Sequence, residues 1–283
     1  MNSEKLKVKI KRRAKEIGAE PQELMQMYFF ERLLYRISIS QYKYNFILKG
    51  GLLLSAIIGD ERRTTSDMDT MIKGIDIESD ELLKIIEEIL SIDGNDGIDF
   101  RIEKTKEIRL NDIYGGINIK LIAKKELLVI PLFIDITTKD PITPREIEFK
   151  YKSFFDDEYI KIMAFNKETI IAEKFETLIK DTETNTRAKD FYDLYILINE
   201  HWESLDKQTM IKAIKNTCKR RESSYILDEL VERFDVIEHS QLLQNEWNKY
   251  KIAHLYAKNI EYENIMKNIN LIIQELEKEL ITK

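Results

Sequence analysis

One cysteine, Cys218, and three histidines, His201, His239 and His254, are all that 283 residues offer to thiol or soft-metal chemistry. A single cysteine closes no intramolecular disulfide, and no Cys/His spacing suits zinc, so a disulfide framework, structural zinc and Cys-His catalysis are set aside. Cys218 reads as a passive residue on a helix. Four Pro and nine Gly are too few for collagen-like, low-complexity or Pro-rich linker sequence. No run approaches the roughly 20 apolar residues that span a bilayer, and the N-terminus lacks the apolar stretch of a signal peptide. A cytoplasmic protein without membrane contact is the expectation.

What is present is a globular composition: 45 Lys+Arg against 51 Asp+Glu, 43% hydrophobic residues, and 13 Tyr and 12 Phe for a sizeable core. The length suits one large domain or two modest ones. Within this acidic chain the first sixteen residues carry seven basic side chains and two acidic ones, a local charge of +5. Two readings fit: the solvated face of an amphipathic helix whose apolar side is Leu6, Ile10 and Ile17, or a contact for RNA phosphates.

Hydrophobic periodicity divides the rest. Pro21 opens a second helix, to about Ser38, with Leu24, Met27, Tyr28, Leu34 and Ile37 near helical spacing. A mixed region follows: a short strand at Phe46 to Leu48, a helix at Leu52 to Ile58, a strand at Asp67 to Ile72 and a helix from about Glu78 to Ile92. Strands are predicted at Ile98 to Ile108, Gly116 to Ala123 and Leu127 to Ile136, bounded by turns such as Tyr114-Gly115-Gly116. Asp140-Pro141 and Thr143-Pro144 end the sheet, and residues 145 to 163 read as an excursion returning the chain to the core. From about Lys167 the pattern is helical, ending in a helix over Asn259 to Leu280. The expected fold class is α+β, a mixed β-sheet flanked by helices over residues 1–165 and a helical region over 166–283.

The informative residues are acidic. Strand alternation projects Asp67 and Asp69 from one face while Met68 enters the core from the other. Two carboxylates so close repel unless a cation sits between them, and oxygen ligands suit Mg²⁺. Upstream, Gly50-Gly51 stand at a strand-to-helix turn where exposed backbone N–H groups can hold a phosphate. Asp135 ends the apolar run Val129 to Ile134, where a lone charge is expensive unless paired or liganded. A polar strand edge is the plainer reading of Asp67-Met68-Asp69 taken alone. Together with the glycine turn and Asp135, the three acids suggest a platform for two cations in phosphoryl transfer.

Gly50-Gly51, Arg63, Thr65, Asp67, Asp69 and Asp135, then Ile171-Ala172-Glu173-Lys174-Phe175-Glu176-Thr177-Leu178, then Arg187-Ala188-Lys189-Asp190-Phe191-Tyr192-Asp193-Leu194-Tyr195, occur in an order that resembles the AbiEii/AbiGii family of nucleotidyltransferase-like toxins. The resemblance covers about residues 45 to 200. It implies a polymerase-β-like nucleotidyltransferase core in residues 1–165, with Asp67, Asp69 and Asp135 as metal ligands and Lys174 and Asp190 joining them as catalytic residues. Gly50, Gly51, Arg63, Thr65, Lys174 and Lys189 would bind the nucleotide. Gly51 departs from the superfamily pattern, in which Ser often follows the first Gly, and fifteen residues (52 to 66) precede Asp67. Arg63 reads either as a phosphate contact or as a tether for Asp67. Asp190 and Asp193, three apart on one helix face, read either as a salt-bridge network or as site residues, and Glu173 stands as an alternative partner for Lys174.

The activity implied is transfer of a nucleoside monophosphate from an NTP to an acceptor hydroxyl, with two Mg²⁺ ions or Mn²⁺ in their place. The implied acceptor is the 3′ end of tRNA or another RNA, so that translation stops, and the implied partner is a cognate antitoxin encoded adjacently. Two alternatives stand beside it: a nucleotide-binding interaction protein without transfer activity, and a metal-dependent nuclease.

Overall fold

The computed structural model describes residues 2–59, 63–77, 80–108, 115–156 and 158–281. Two helices come first, α1 (Ser3–Ile17) and α2 (Pro21–Ile39). In α1, Asn2 caps the Lys5 N–H, Leu6, Ile10 and Ala14 at four-residue spacing form the buried stripe, and Gly18 in the left-handed region (φ 69°) ends the helix. Within the helix Lys7 pairs with Glu4, and both Arg12 and Arg13 pair with Glu16. Pro21 begins α2, most of which is buried between Leu24 and Ile37. Its Arg36 is enclosed as well, and forks onto Asp96 with two 2.8 Å hydrogen bonds while also donating to the Ile92 and Ile98 carbonyls.

Among the described residues the sheet has seven strands: β1 (Phe46–Leu48), β2 (Asp67–Ile72), β3 (Asp99–Ile108), β4 (Gly116–Lys125), β5 (Leu128–Thr138), β6 (Ile147–Lys152) and β7 (Tyr159–Ala164). They lie in the order β3-β4-β5-β2-β1-β7-β6. Pairs β2–β5 and β1–β7 are parallel and the remaining pairs antiparallel, so the sheet is mixed. Helix α3 (Gly50–Ile58) joins β1 to β2, and α4 (Asp80–Ser91) joins β2 to β3. Phe46, Met68, Ile134 and Ile136 on one sheet face meet Leu33 and Ile37 of α2 and Ile86, Ile89 and Leu90 of α4 around an apolar cavity. The opposite face mixes apolar residues such as Ile47 and Met71 with polar ones.

These elements form one compact unit, residues 1–140 and 146–165; a second comprises 141–145 and 166–283. The second is helical: α5 (Lys167–Asp181), α6 (Ala188–His201), α7 (Lys207–Arg220), α8 (Leu230–His239), α9 (Gln241–Ala253) and α10 (Tyr262–Ile281). Side-chain caps start three of them, from Asn166, Asp206 and Ser240. Ile265, Ile269, Ile272, Ile273 and Leu276 form the buried stripe of α10. Cys218 is buried in α7, and desolvation pushes its thiol up to about 12, which leaves it unreactive. No helix among the described residues is long and apolar enough to cross a membrane.

The α+β class with a helical C-terminal region is what the sequence pattern predicts, but one stretch needs correction. Residues 145 to 163 are not an excursion: they hold the antiparallel pair β6–β7, registered from Ile147↔Ala164 to Lys152↔Tyr159. Boundaries shift elsewhere. Helix α3 begins at Gly50 rather than Leu52, and α10 at Tyr262 rather than near Asn259. Glu78 and Tyr114, used above as boundaries, lie outside the described residues.

Candidate functional site

The sheet places the acidic residues through its register. Along parallel strands β2 and β5, Asp67 pairs with Phe133 and Asp69 with Asp135. Paired residues project to the same face, so Asp67, Asp69 and Asp135 share a face opposite buried Met68, Ile134 and Ile136. All three aspartates are half-buried. Two have neutral donors. The Thr65 hydroxyl donates to Asp67 Oδ1 at 2.7 Å, and the Asn118 amide, across the β4–β5 register, donates to Asp135 Oδ1 at 2.5 Å. Among the described residues neither Asp67 nor Asp135 has a cationic partner.

The start of α3 closes on the same place. The Lys49 N–H donates to the Asp69 carbonyl at 3.0 Å. Gly50 then adopts φ +63°, and a Cβ there would stand 1.9 Å from Asp69 Oδ2. Only glycine allows both the left-handed turn and this approach. Lys49, the N-cap residue, gives the first turn no side-chain hydrogen bond, and backbone N–H groups at the positive end of a helix are suited to an anion. The glycine turn and the carboxylates are therefore one structural feature.

The segment leading into β2 is fixed at several points. Ser55 donates to the Arg63 and Gly51 carbonyls, and the Thr64 hydroxyl donates to Glu23 of α2. Arg63 is only 2% exposed, with Nη1 donating to the Thr64 carbonyl at 3.1 Å. Beside the acids runs a buried ion pair: Lys49 Nζ meets Asp140 Oδ2 at 2.5 Å, Thr137 Oγ1 donates to the same oxygen at 2.7 Å, and the Phe165 ring lies 5.5 Å from the ammonium.

Lys174, Lys189 and Asp190 belong to the helical unit. Lys174 on α5 bridges to α6, with Nζ 2.6 Å from Asp190 Oδ1 and 2.7 Å from Asp193 Oδ2. Arg187 Nε also approaches Asp190, at 3.6 Å. The network thus ties two helices together rather than bracing a single one. Glu173 has a different partner, Arg221 at 3.2 Å. Lys189 is half-buried in the first turn of α6.

Sequence reasoning missed Asn118 and the Lys49–Asp140 pair. A signal existed for Asn118, a lone amide between Ile117 and Ile119 at an alternating strand position. None existed for Asp140, whose partner lies ninety-one residues away.

The donor set is all hard oxygen, as Mg²⁺ requires. Among the described residues no three His, Cys, Asp or Glu side chains converge tightly enough to cage an ion by themselves. Mg²⁺ does not need such a cage: it commonly takes one or two carboxylates and fills its remaining positions with water and substrate phosphates. Register neighbours Asp69 and Asp135, with Asp67 on the same face, fit an ion bound in that way.

Residues 32–268 match the family model for the nucleotidyl transferase AbiEii toxin of type IV toxin–antitoxin systems. No curated protein matches the sequence. Among solved structures, a candidate nucleotidyltransferase from H. pylori is similar with a TM-score of 0.50 at 17% identity, over 92% of this chain and 98% of that one. JHP933 from Helicobacter pylori aligns with a TM-score of 0.49 at 18% identity, over 93% and 97% of the two chains.

Proposed function

This chain belongs to the AbiEii family of nucleotidyl transferase toxins of type IV toxin–antitoxin systems, and we propose that it moves a nucleoside monophosphate from an NTP to the 3′-terminal hydroxyl of tRNA, blocking translation. The acceptor oxygen attacks the α-phosphorus, the bond to the bridging oxygen breaks, and pyrophosphate leaves. One observation supports this reading above the others: Asp67 and Asp135 carry charge that no cation among the described residues balances, on the sheet face that the glycine start of α3 adjoins.

In this reading Asp69 and Asp135, with Asp67, hold Mg²⁺. Bound there, the ion would neutralise phosphate charge and lower the acceptor hydroxyl's pKa. The first N–H groups of α3 grip phosphate oxygens, and Gly50 keeps that backbone close to Asp69. Asp135 Oδ2, the oxygen that Asn118 leaves unengaged, takes the acceptor proton. The buried Lys49–Asp140 pair steadies the residue from which α3 starts. A cognate antitoxin encoded nearby relieves the toxicity.

The test is incubation of purified protein with Mg²⁺, each labelled NTP and total tRNA, wild type beside Asp67→Ala. Label entering RNA with the wild type alone is the expected result. Shortened RNA would point to a nuclease, and bound NTP without either product to a nucleotide-binding protein.

A further inference from the structure

We propose that Thr65 is a positioning residue for Asp67, and that position 51 is glycine because the Thr65 hydroxyl fills the space a side chain there would need. The role given to Asp67 rests on the transfer reading above. A Cβ on Gly51 would stand 2.6 Å from Thr65 Oγ1 and 3.0 Å from Thr65 Cβ. Conformation does not demand glycine here, because the left-handed φ belongs to Gly50 and not to Gly51. Sterics do. The hydroxyl that excludes the side chain is also the one that donates to Asp67 Oδ1 at 2.7 Å.

Thr65 suits the task. It is 3% exposed, and a β-branched side chain is stiff at χ1. The residues before it are tied down through Ser55 and Glu23. A hydroxyl has one hydrogen, and Thr65 spends it on Asp67, so it acts on that carboxylate rather than binding the nucleotide as the family resemblance implies. Since the donor is neutral, it fixes one oxygen of Asp67 without cancelling the charge. Asn118 does the same for Asp135. Outer partners that orient a ligand in this way are worth about 10- to 100-fold in metal affinity.

The experiment is a titration of full-length wild type, Thr65→Val and Thr65→Ser with Mn²⁺ alone, following free ion by electron paramagnetic resonance, with melting temperatures and nucleotide transfer measured on the same samples. Thr65→Val is expected to weaken Mn²⁺ uptake by about 10-fold or more while its melting temperature stays close to wild type, and Thr65→Ser to restore uptake. If Thr65→Val does not fold, Thr65→Ala replaces it. Wild-type uptake in the Val or Ala variant, failure of Ser to restore it, or no uptake by the wild type overturns the proposal. Wild-type uptake without transfer contradicts the transfer reading and leaves this one standing. Transfer undiminished in Thr65→Val does the reverse.

Discussion

Asp67 and Asp69 in the sheet unit, and Asp190 and Asp193 in the helical unit, are both aspartate pairs whose spacing puts them on one face of their element. Their surroundings differ. Asp190 and Asp193 share the Lys174 ammonium at 2.6 and 2.7 Å, and Asp193 is fully buried. Asp67 and Asp135, on the same sheet face, have a hydroxyl and an amide instead, and are half open. A buried carboxylate must be compensated within the protein, whereas half-exposed ones with neutral donors keep charge available for a cation from outside. Spacing alone does not separate Asp67 from Asp190 and Asp193; the partner does.

The comparison can be broken most forcefully by removing one acid from each set. Asp193→Ala leaves a half-buried lysine short of a partner and is expected to cost on the order of 3 kcal/mol in chemical denaturation. Asp67→Ala relieves repulsion between like charges, so it should abolish transfer and toxicity at nearly wild-type stability. Equal destabilisation by the two would erase the distinction. Gly50→Ala falls between them. Its new methyl would collide with the Asp69 carboxylate in a left-handed conformation, costing roughly 1–3 kcal/mol and removing transfer, as denaturation curves and the labelled-NTP assay would show.

A third kind of carboxylate sharpens the contrast. Glu31 of α2 is fully buried, and desolvation pushes it up to about 7, against hydrogen bonds from Ser153 at 2.6 Å and the Phe154 N–H at 2.8 Å that favour its ionised form. The folded state therefore holds this proton more tightly than the unfolded chain. Its stabilising contribution is complete below the ordinary glutamate range and lost as pH rises through about 7. Relative to Glu31→Gln, wild-type stability should decline across that window by at most on the order of 3 kcal/mol. Melting temperatures from pH 4 to 8 check this, and parallel curves for the two proteins would refute it.

Local physics made much of the molecule legible in its sequence. Phe46 to Leu48 and Asp67 to Ile72 are strands with those bounds, because apolar or alternating runs flanked by turn residues leave the backbone few options. Alternation alone also put Asp67 and Asp69 on one face. The pairing of Asp69 with Asp135 was not legible, since register joins residues sixty-six apart and no local pattern carries it. The β6–β7 hairpin was legible and was missed: Ile147, Phe149 and Tyr151 alternate with Glu148, Lys150 and Lys152, the period of a strand, and charged alternate positions are common where an edge strand such as β6 must resist pairing with another chain. The role of Gly51, like that register, was obscure: what excludes a side chain there is Thr65, fourteen residues on.

The most direct test of the difference between the two aspartate sets is the anomalous signal of a crystal grown with Mn²⁺ and a non-transferable NTP analogue. The account predicts a peak bonded to the carboxylates of Asp69 and Asp135 on the sheet face beside Gly50, with Lys174 still seated between Asp190 and Asp193. A peak on Asp190 or Asp193 with Lys174 displaced, or no peak on the sheet face, would contradict it.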